Sequence, residues 1–353
     1  MKVLAINSSL RKGGQSRTEM MLNHLVEGMR EAGAEVDMVH LRQKKIRHCI
    51  GCFTCMTKTP GKCVHKDDMT NELFPKWLES DLVVYATPLF HHTVNAPMKT
   101  FLERTFPICE PFLKQYDSGR WGHPFRHKPP PAVVLSVCGF LDESAFEALS
   151  HYVKFLFYGE NAKLVAEIYR PASQIIIQRP FKDMLNDILD ATRQAGRELA
   201  ESMAISAETM ARIKQPIGDV QSIRELTNLF WKTCIAEGVT IRTFEQKGMV
   251  PRPDSVETYM LLMRFGFNPR AAGDTRATLQ FTFSGEAEGS CHFTIEDGTI
   301  EAALGPTEKP DLAVNAPFEV WMDIVTGKAD GTQMFIEGKY QAEGDISLMT
   351  LFG

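Results

Sequence analysis

The sequence contains no apolar run that approaches the roughly 20 residues needed to cross a bilayer, and no block of five like charges. Thirty-nine Lys and Arg are set against 44 Asp and Glu, a net charge of −5. Without a basic stripe or tail, nucleic acid and an anionic membrane surface are poor candidates for partners. Repeats and low-complexity tracts are also lacking. Met1 runs directly into Lys2-Val-Leu-Ala-Ile-Asn7, with no charged leader, apolar core or cleavage site behind it. This stretch reads as a first strand rather than a signal, which sets the expectation of a cytoplasmic protein without a transmembrane segment.

What is present is the composition of a folding chain, 44 % hydrophobic and 24 % charged over 353 residues. That length favours two domains, each able to bury its own core. From 1 to about 205, short apolar runs at Val3 to Ile6, Val36 to Leu41, Leu82 to Ala86, Ala132 to Val137 and Leu164 to Ile168 alternate with helix-spaced stretches. Five β-α units in series imply an α/β domain with a doubly wound parallel sheet, whose ligands lie beyond the carboxyl ends of its strands. One helix opens at Ser16, where the hydroxyl can cap and Glu19 can reach back, and Gly33 ends it. Residues 106–130 interrupt the pattern with prolines and aromatics; a packed lid and a mobile surface loop are both open readings.

Residues 206–254 read as a helical connector, with Ile223, Leu226, Leu229 and Phe230 on one stripe. Beyond it the period changes to two. Leu279, Phe281 and Phe283, then Cys291, Phe293 and Ile295, alternate with polar residues, and Glu296-Asp-Gly298 turns into Thr299 to Leu304. These predict antiparallel strands with one wet face, followed by a helix carrying Phe318, Trp321, Met322 and Val325. The expected organisation is therefore a first domain over 1–205, the connector, and a smaller α+β domain over 255–353.

The first strand empties into Asn7-Ser-Ser-Leu-Arg-Lys-Gly-Gly-Gln-Ser-Arg-Thr18. Free backbone N–H groups, a helix N-terminus, the hydroxyls of Ser9, Ser16 and Thr18, and the charge of Arg11 suit a phosphate. The glycines and lysine are in the wrong places for a GxGxxG turn or a Walker loop. An ordinary polar βα loop is the alternative. Cys49, Cys52, Cys55 and Cys63 form a C-x2-C-x2-C-x7-C cluster, unlike a disulfide framework spread through a small secreted chain. A 4Fe-4S cluster, reduced or redox-active thiols, and zinc all remain open for it. Cys109, Cys138, Cys234 and Cys291 are scattered, as buried small apolar residues are.

After the third strand comes Thr87-Pro-Leu-Phe-His91, then a helix with Met98-Lys99 and Phe101-Leu-Glu-Arg104. This segment resembles the isoalloxazine-binding part of the NADPH-dependent FMN reductase and iron–sulfur flavoprotein families. The loop at Ser8 to Thr18 resembles their phosphate loop, and Ser136-Val-Cys-Gly-Phe140 and the compact cysteine motif fit the same pattern. The resemblance implies a flavodoxin-like fold and FMN as cofactor. It would place Ser9, Arg11, Gln15, Ser16 and Thr18 on the phosphate, and Thr87, Pro88, Leu89, Phe90, His91, Cys138 and Gly139 along the ring. Gln15 stands where the families often have Asn. It also implies a cluster on the four cysteines, NAD(P)H or a donor protein as electron source, a small-molecule or protein acceptor, and a homo-oligomer. The flavin N5 carries the chemistry, so no catalytic side chain is required; His91 is the candidate acid, although the adjacent His91 and His92 also read as cap residues at a helix start. Because the cysteines follow the second strand, they are expected at the flavin end of the sheet.

From 255 onward the chain resembles the sterol carrier protein type 2 domain, through Ala277 to Phe283, Pro310 to Val314, Thr326-Gly-Lys328 and Gly338 to Gly344 before a last apolar helix. That resemblance implies an apolar tunnel for lipids, against a filled core that only packs or dimerises. Two functions follow: an FMN-dependent oxidoreductase or electron carrier serving an apolar or quinone-like acceptor, and a lipid-binding protein with a flavodoxin-like scaffold.

Overall fold

The computed structural model describes residues 1–12, 14–116, 119–157 and 162–352. The chain divides into two compact units, 1–217 and 218–353.

The first unit contains β1 (Lys2–Asn7), α1 (Arg17–Glu31), β2 (Glu35–His40), α2 (Phe74–Leu78), β3 (Leu82–Pro88), α3 (Ala96–Glu103), β4 (Lys114–Gln115), β5 (Trp121–Gly122), β6 (Ala132–Val137), α4 (Glu147–Leu156), β7 (Leu164–Arg170), α5 (Lys182–Ser202) and α6 (Ala207–Lys214). Its main sheet has the order β2-β1-β3-β6-β7, and every pair in it is parallel. That is the flavodoxin-like winding, with crossovers reversing direction beside β1. The central strands are legible as continuous apolar runs because both of their faces are covered; β6 is buried at all six positions. Helices α1 and α5 approach so closely that a Cβ at Gly28 would overlap the Arg193 carbonyl, and one at Gly196 the Leu25 carbonyl.

The end of β7 decides where this unit stops. Arg170 is 1 % exposed, and its Nη1 donates to the carbonyls of Ile213 (3.1 Å) and Gln215 (2.6 Å) at the end of α6. These are carbonyls that a helix terminus leaves without intrahelical partners. Glu198 accepts from the Ser206 amide (2.7 Å) and the Thr209 hydroxyl (2.7 Å). Residues 206–217 thus pack within the first unit, and the second begins at Gly218.

The described residues between 106 and 130 include a 3-10 turn, the antiparallel pair β4 and β5, and a Cys109–Phe125 bridge. Phe112, Leu113 and Trp121 are exposed, so these side chains do not pack inward as a lid.

The second unit contains α7 (Val220–Ala236), α8 (Ile241–Gln246), α9 (Val256–Gly266), α10 (Pro269–Ala272), β8 (Ala277–Ser284), β9 (Gly289–Glu296), β10 (Thr299–Leu304), β11 (Leu312–Pro317), α11 (Phe318–Val325), α12 (Gly331–Ile336) and β12 (Gln341–Gly344). Its sheet order is β10-β9-β8-β11-β12. The expected hairpins are present, but β11 pairs with β8 in parallel. The chain leaves β10 at one edge and crosses to the open side of β8, and that crossing delivers the next strand in the parallel sense. The final segment, Ile346–Phe352, is 3-10 rather than the expected helix. The inward face is filled by rings: Tyr259 lies 5.5 Å from Phe281, 5.2 Å from Phe283 and 5.8 Å from Phe293, and its hydroxyl accepts from Trp321 Nε1 at 3.0 Å.

Candidate flavin edge and cysteine cup

Three loops meet at the carboxyl edge because β1, β3 and β6 are neighbours. At the end of β1, Asn7 Oδ1 accepts from the Ser9 amide at 2.9 Å, and the Ser8 amide donates to the Ala86 carbonyl of β3 at 2.9 Å. Asn95 Nδ2 donates to the Ser8 carbonyl at 2.8 Å, tying this loop to the start of α3. Ser9, Ser16 and Thr18 are buried, whereas Arg11 and Gln15 are exposed. Gly13 lies outside the described residues; Gly14 has φ +78° with open space where a Cβ would stand. Ser16 caps α1 by accepting from the Glu19 amide at 3.0 Å. Glu19 does not reach back to it. Its carboxylate accepts instead from Arg42 Nη1 (2.9 Å) and Nη2 (3.2 Å), because a charged partner outcompetes a neutral amide.

Past β3, the Leu89 amide donates to the Val137 carbonyl at 3.0 Å, and Phe90 and Thr93 exchange backbone hydrogen bonds at 3.0 Å each. His91 (φ 44°) and His92 (φ 62°) are the two central residues of this turn, a left-handed pair typical of tight hairpins. They are not a helix cap, as their spacing before the helix suggested; Asn95 caps α3, accepting from the Met98 amide at 3.4 Å. His92 stacks on Phe140 at 5.5 Å and 15°, which joins the loops after β3 and β6. Thr87 to His91 and Cys138-Gly139 therefore share one edge with the Ser9 loop. Burial pushes the Cys138 thiol up to about 11.

The four clustered cysteines line one cavity of about 70 Å³, together with Phe53 and Arg104. The Gly61 amide donates to the Cys55 carbonyl at 3.0 Å, returning the chain toward Cys63. Hydrogen bonds from Thr54 lower the Cys52 thiol, while burial, followed by the neighbouring Cys63, raises Cys55. The neck of this loop is closed by one ion pair. Asp67 accepts from the Arg47 amide (2.9 Å) and the Thr70 amide (3.2 Å), and Arg104 binds it through Nη1 to Oδ2 (2.6 Å) and Nη2 to Oδ1 (3.0 Å). Arg104 stands at the end of α3, whose eight residues amount to about 12 Å of helix at 1.5 Å each. The cup therefore lies by the C-terminal end of α3, whose N-cap Asn95 is tied to the Ser8 carbonyl. The chain descends from β2 along α3 before entering the cysteine loop, as the contact between His48 Nδ1 and Thr100 Oγ1 (3.1 Å) marks.

Residues 1–168 match the family profile described as NADPH-dependent FMN reductase, and residues 268–353 that of the SCP-2 sterol transfer family. The first unit thus resembles the FMN reductase family over these 168 residues. An iron-sulfur flavoprotein of Archaeoglobus fulgidus is 42 % identical over 123 residues, covering 35 % of this chain and 52 % of that protein. One from Methanocaldococcus jannaschii is 36 % identical over 104 residues, covering 30 % and 50 %. The chain thus spans about half the length of these curated relatives. Among solved structures, an NAD(P)H:quinone oxidoreductase from Methanothermobacter marburgensis aligns with a TM-score of 0.42 at 16 % identity, over 56 % of this chain and 96 % of that one.

The first unit presents groups suited to FMN. Buried hydroxyls surround the N-terminus of a 15-residue helix, and the buried Ser136 Oγ, two residues before Cys138, has no partner among the described residues. The cup offers the thiolate donor set of an iron–sulfur centre. Among the described residues no three His, Cys, Asp or Glu side chains are placed to hold one metal ion. Sequence reasoning missed Asn95, Phe140 and the Asp67–Arg104 pair. A polar residue two positions before Pro97 could have indicated the first; nothing local indicates the pair, whose members are 37 positions apart. Of the scattered cysteines, Cys138, Cys234 and Cys291 are buried and Cys109 is only partly so. No helix among the described residues is long and apolar enough to cross a membrane.

Proposed function

We propose that this protein is an FMN-dependent oxidoreductase or electron-transfer flavoprotein. It takes electrons from NAD(P)H or a donor protein and passes them, by way of a 4Fe-4S cluster in the cysteine cup, to an apolar or quinone-like acceptor. The observation that carries this reading is the meeting of the anion loop with Thr87 to His91 and Cys138-Gly139 at one sheet edge. FMN supplies hydride and one-electron chemistry when bound, and the protein supplies position and electrostatics. Ser9, Ser16 and Thr18 would donate to the phosphate beside the positive end of α1, with Arg11 and Gln15 closing over it from the solvent side. Thr87, Pro88, Leu89, Phe90, His91, Cys138 and Gly139 would flank the ring. Hydride transfer needs no side-chain base, so His91 is assigned no catalytic step.

Leu10, Phe90 and Phe140 are each more than half exposed at this edge. An apolar rim of this kind supports a homo-oligomer in which a second copy covers the flavin. In the second unit the ring-filled core supports packing or assembly over lipid carriage. Purification without oxygen, followed by absorption spectra and assays of FMN, iron and sulfide, tests the whole reading. The expected result is one FMN and four irons per chain; protein that cannot be loaded with FMN would refute it.

A further inference from the structure

Arg104 is 2 % exposed, and its five N–H donors can be followed one by one. Nη1 donates to the Arg47 carbonyl (2.6 Å) and to Asp67 Oδ2 (2.6 Å). Nη2 donates to Asp67 Oδ1 (3.0 Å) and Thr70 Oγ1 (3.0 Å). These bonds staple the two ends of the cysteine loop. They leave Nε–H, which is buried and has no partner among the described residues. The Nε–H groups of Arg42, Arg126, Arg170 and Arg193 are left in the same way among the described residues, and Arg104 is the one of these arginines that lines the cysteine cavity. Arg104 and Cys63 line the same cavity, and Cys63 is among the groups that raise the guanidinium's pKa.

We propose that Arg104 is a positioning and tuning residue for the cup: its spare N–H is held for the sulfur of Cys63 when that sulfur ligates a cluster. The inference rests on the cluster reading given above. A hydrogen bond and a positive charge at a ligand sulfur favour the more negative, reduced centre, and so raise its reduction potential. Asp67 opposes this by neutralising the same guanidinium. The two residues therefore act in opposite directions on the potential, although both close the neck. Because α3 carries Asn95 at the flavin edge and Arg104 at the cup, the arrangement also fixes the cup relative to the flavin segments.

The test uses full-length protein reconstituted without oxygen, with FMN content, iron content and midpoint potential measured on each variant. Arg104→Gln is expected to lower the cluster potential, and Asp67→Asn to raise it, while FMN binding is unchanged in both. A residue pair that only closed the neck would shift both variants the same way or not at all. Should Arg104→Gln fail to fold because Asp67 is left unpaired, the double variant Arg104→Gln with Asp67→Asn buries no charge and is expected to show the lowered potential. Thr70→Val, which removes one staple bond and leaves Nε, is the control expected to keep the wild-type value. Unchanged potentials in Arg104 variants that hold full iron would overturn the proposal alone. Wild-type protein without iron and sulfide would overturn both it and the cluster reading.

Discussion

The flavin edge and the cysteine cup belong to one domain but are held in different ways. The edge is a product of the sheet: β1, β3 and β6 are adjacent, so their loops meet whatever their side chains, and hydrogen bonds such as Leu89 to Val137 (3.0 Å) are backbone to backbone. The cup hangs on a long loop whose neck is closed by Asp67 and Arg104, with side chains 5 % and 1 % exposed. A site built on strands spreads its support over many bonds. One closed by a buried ion pair concentrates it in two side chains, where loss of either leaves an uncompensated charge.

That contrast can be broken most directly at its weakest point. Arg104→Ala leaves the Asp67 carboxylate buried without its cation and is expected to cost about 3–5 kcal/mol, read as a lowered denaturant midpoint together with loss of the cup. A small change would show that the cup has other support. Truncation probes the edge at its outer strand. A 1–205 fragment removes the Ile213 and Gln215 carbonyls that accept from Arg170 Nη1, whereas 1–217 keeps them. The longer fragment is expected to fold and bind FMN, and the shorter one to be less stable by roughly 1.5–3 kcal/mol, the worth of hydrogen bonds to a charged group. Equal melting of the two fragments would remove the boundary drawn at 217.

A smaller effect is expected within the anion loop. Arg11→Ala should weaken FMN binding by roughly 1.5 kcal/mol, the low end for a charge-assisted hydrogen bond because Arg11 is exposed. Fluorescence titration with FMN would measure this, and unchanged affinity would take Arg11 out of the site.

Acid separates the two regions with the least perturbation. Burial alone would raise the Asp67 carboxyl, but hydrogen bonds from Arg104 and from the Arg47 and Thr70 amides hold it well below the ordinary carboxylate range. A carboxyl depressed in the folded state contributes stability above its unfolded pKa, and that contribution is lost as pH falls through the folded value. Stability of the first unit should therefore decline below about pH 4, and Asp67→Asn should flatten that decline. A variant with the wild-type acid slope would show that other carboxyls govern it.

Much of the framework was readable from the chain. Buried parallel strands need apolar residues on both faces, so β3 and β6 stand out as runs, and the half-wet strands β8 and β9 stand out as alternation. The Ser16 cap and the polar loop after β1 were readable for the same reason: each depends on residues within a few positions of one another. The cysteine spacing likewise predicts that the four thiols can gather, and they line one cavity.

What escaped sequence reading depends on residues far apart in the chain. Before Asn95, His91 and His92 look like a helix start, and only pairing between Phe90 and Thr93 makes them a tight turn. Arg170 looks like the polar end of a strand until α6 arrives 43 residues later to receive its hydrogen bonds. The direction of β11 was settled by which side of β8 was open. Arg104 and Asp67 stand 37 positions apart; folding alone buries them together and makes them the neck of the cup. Local pattern determined the elements and the chemistry they carry, because hydrophobic period and capping act over a few residues. Tertiary structure decided which of those groups meet, because burying a charge requires a partner from wherever the fold can bring one.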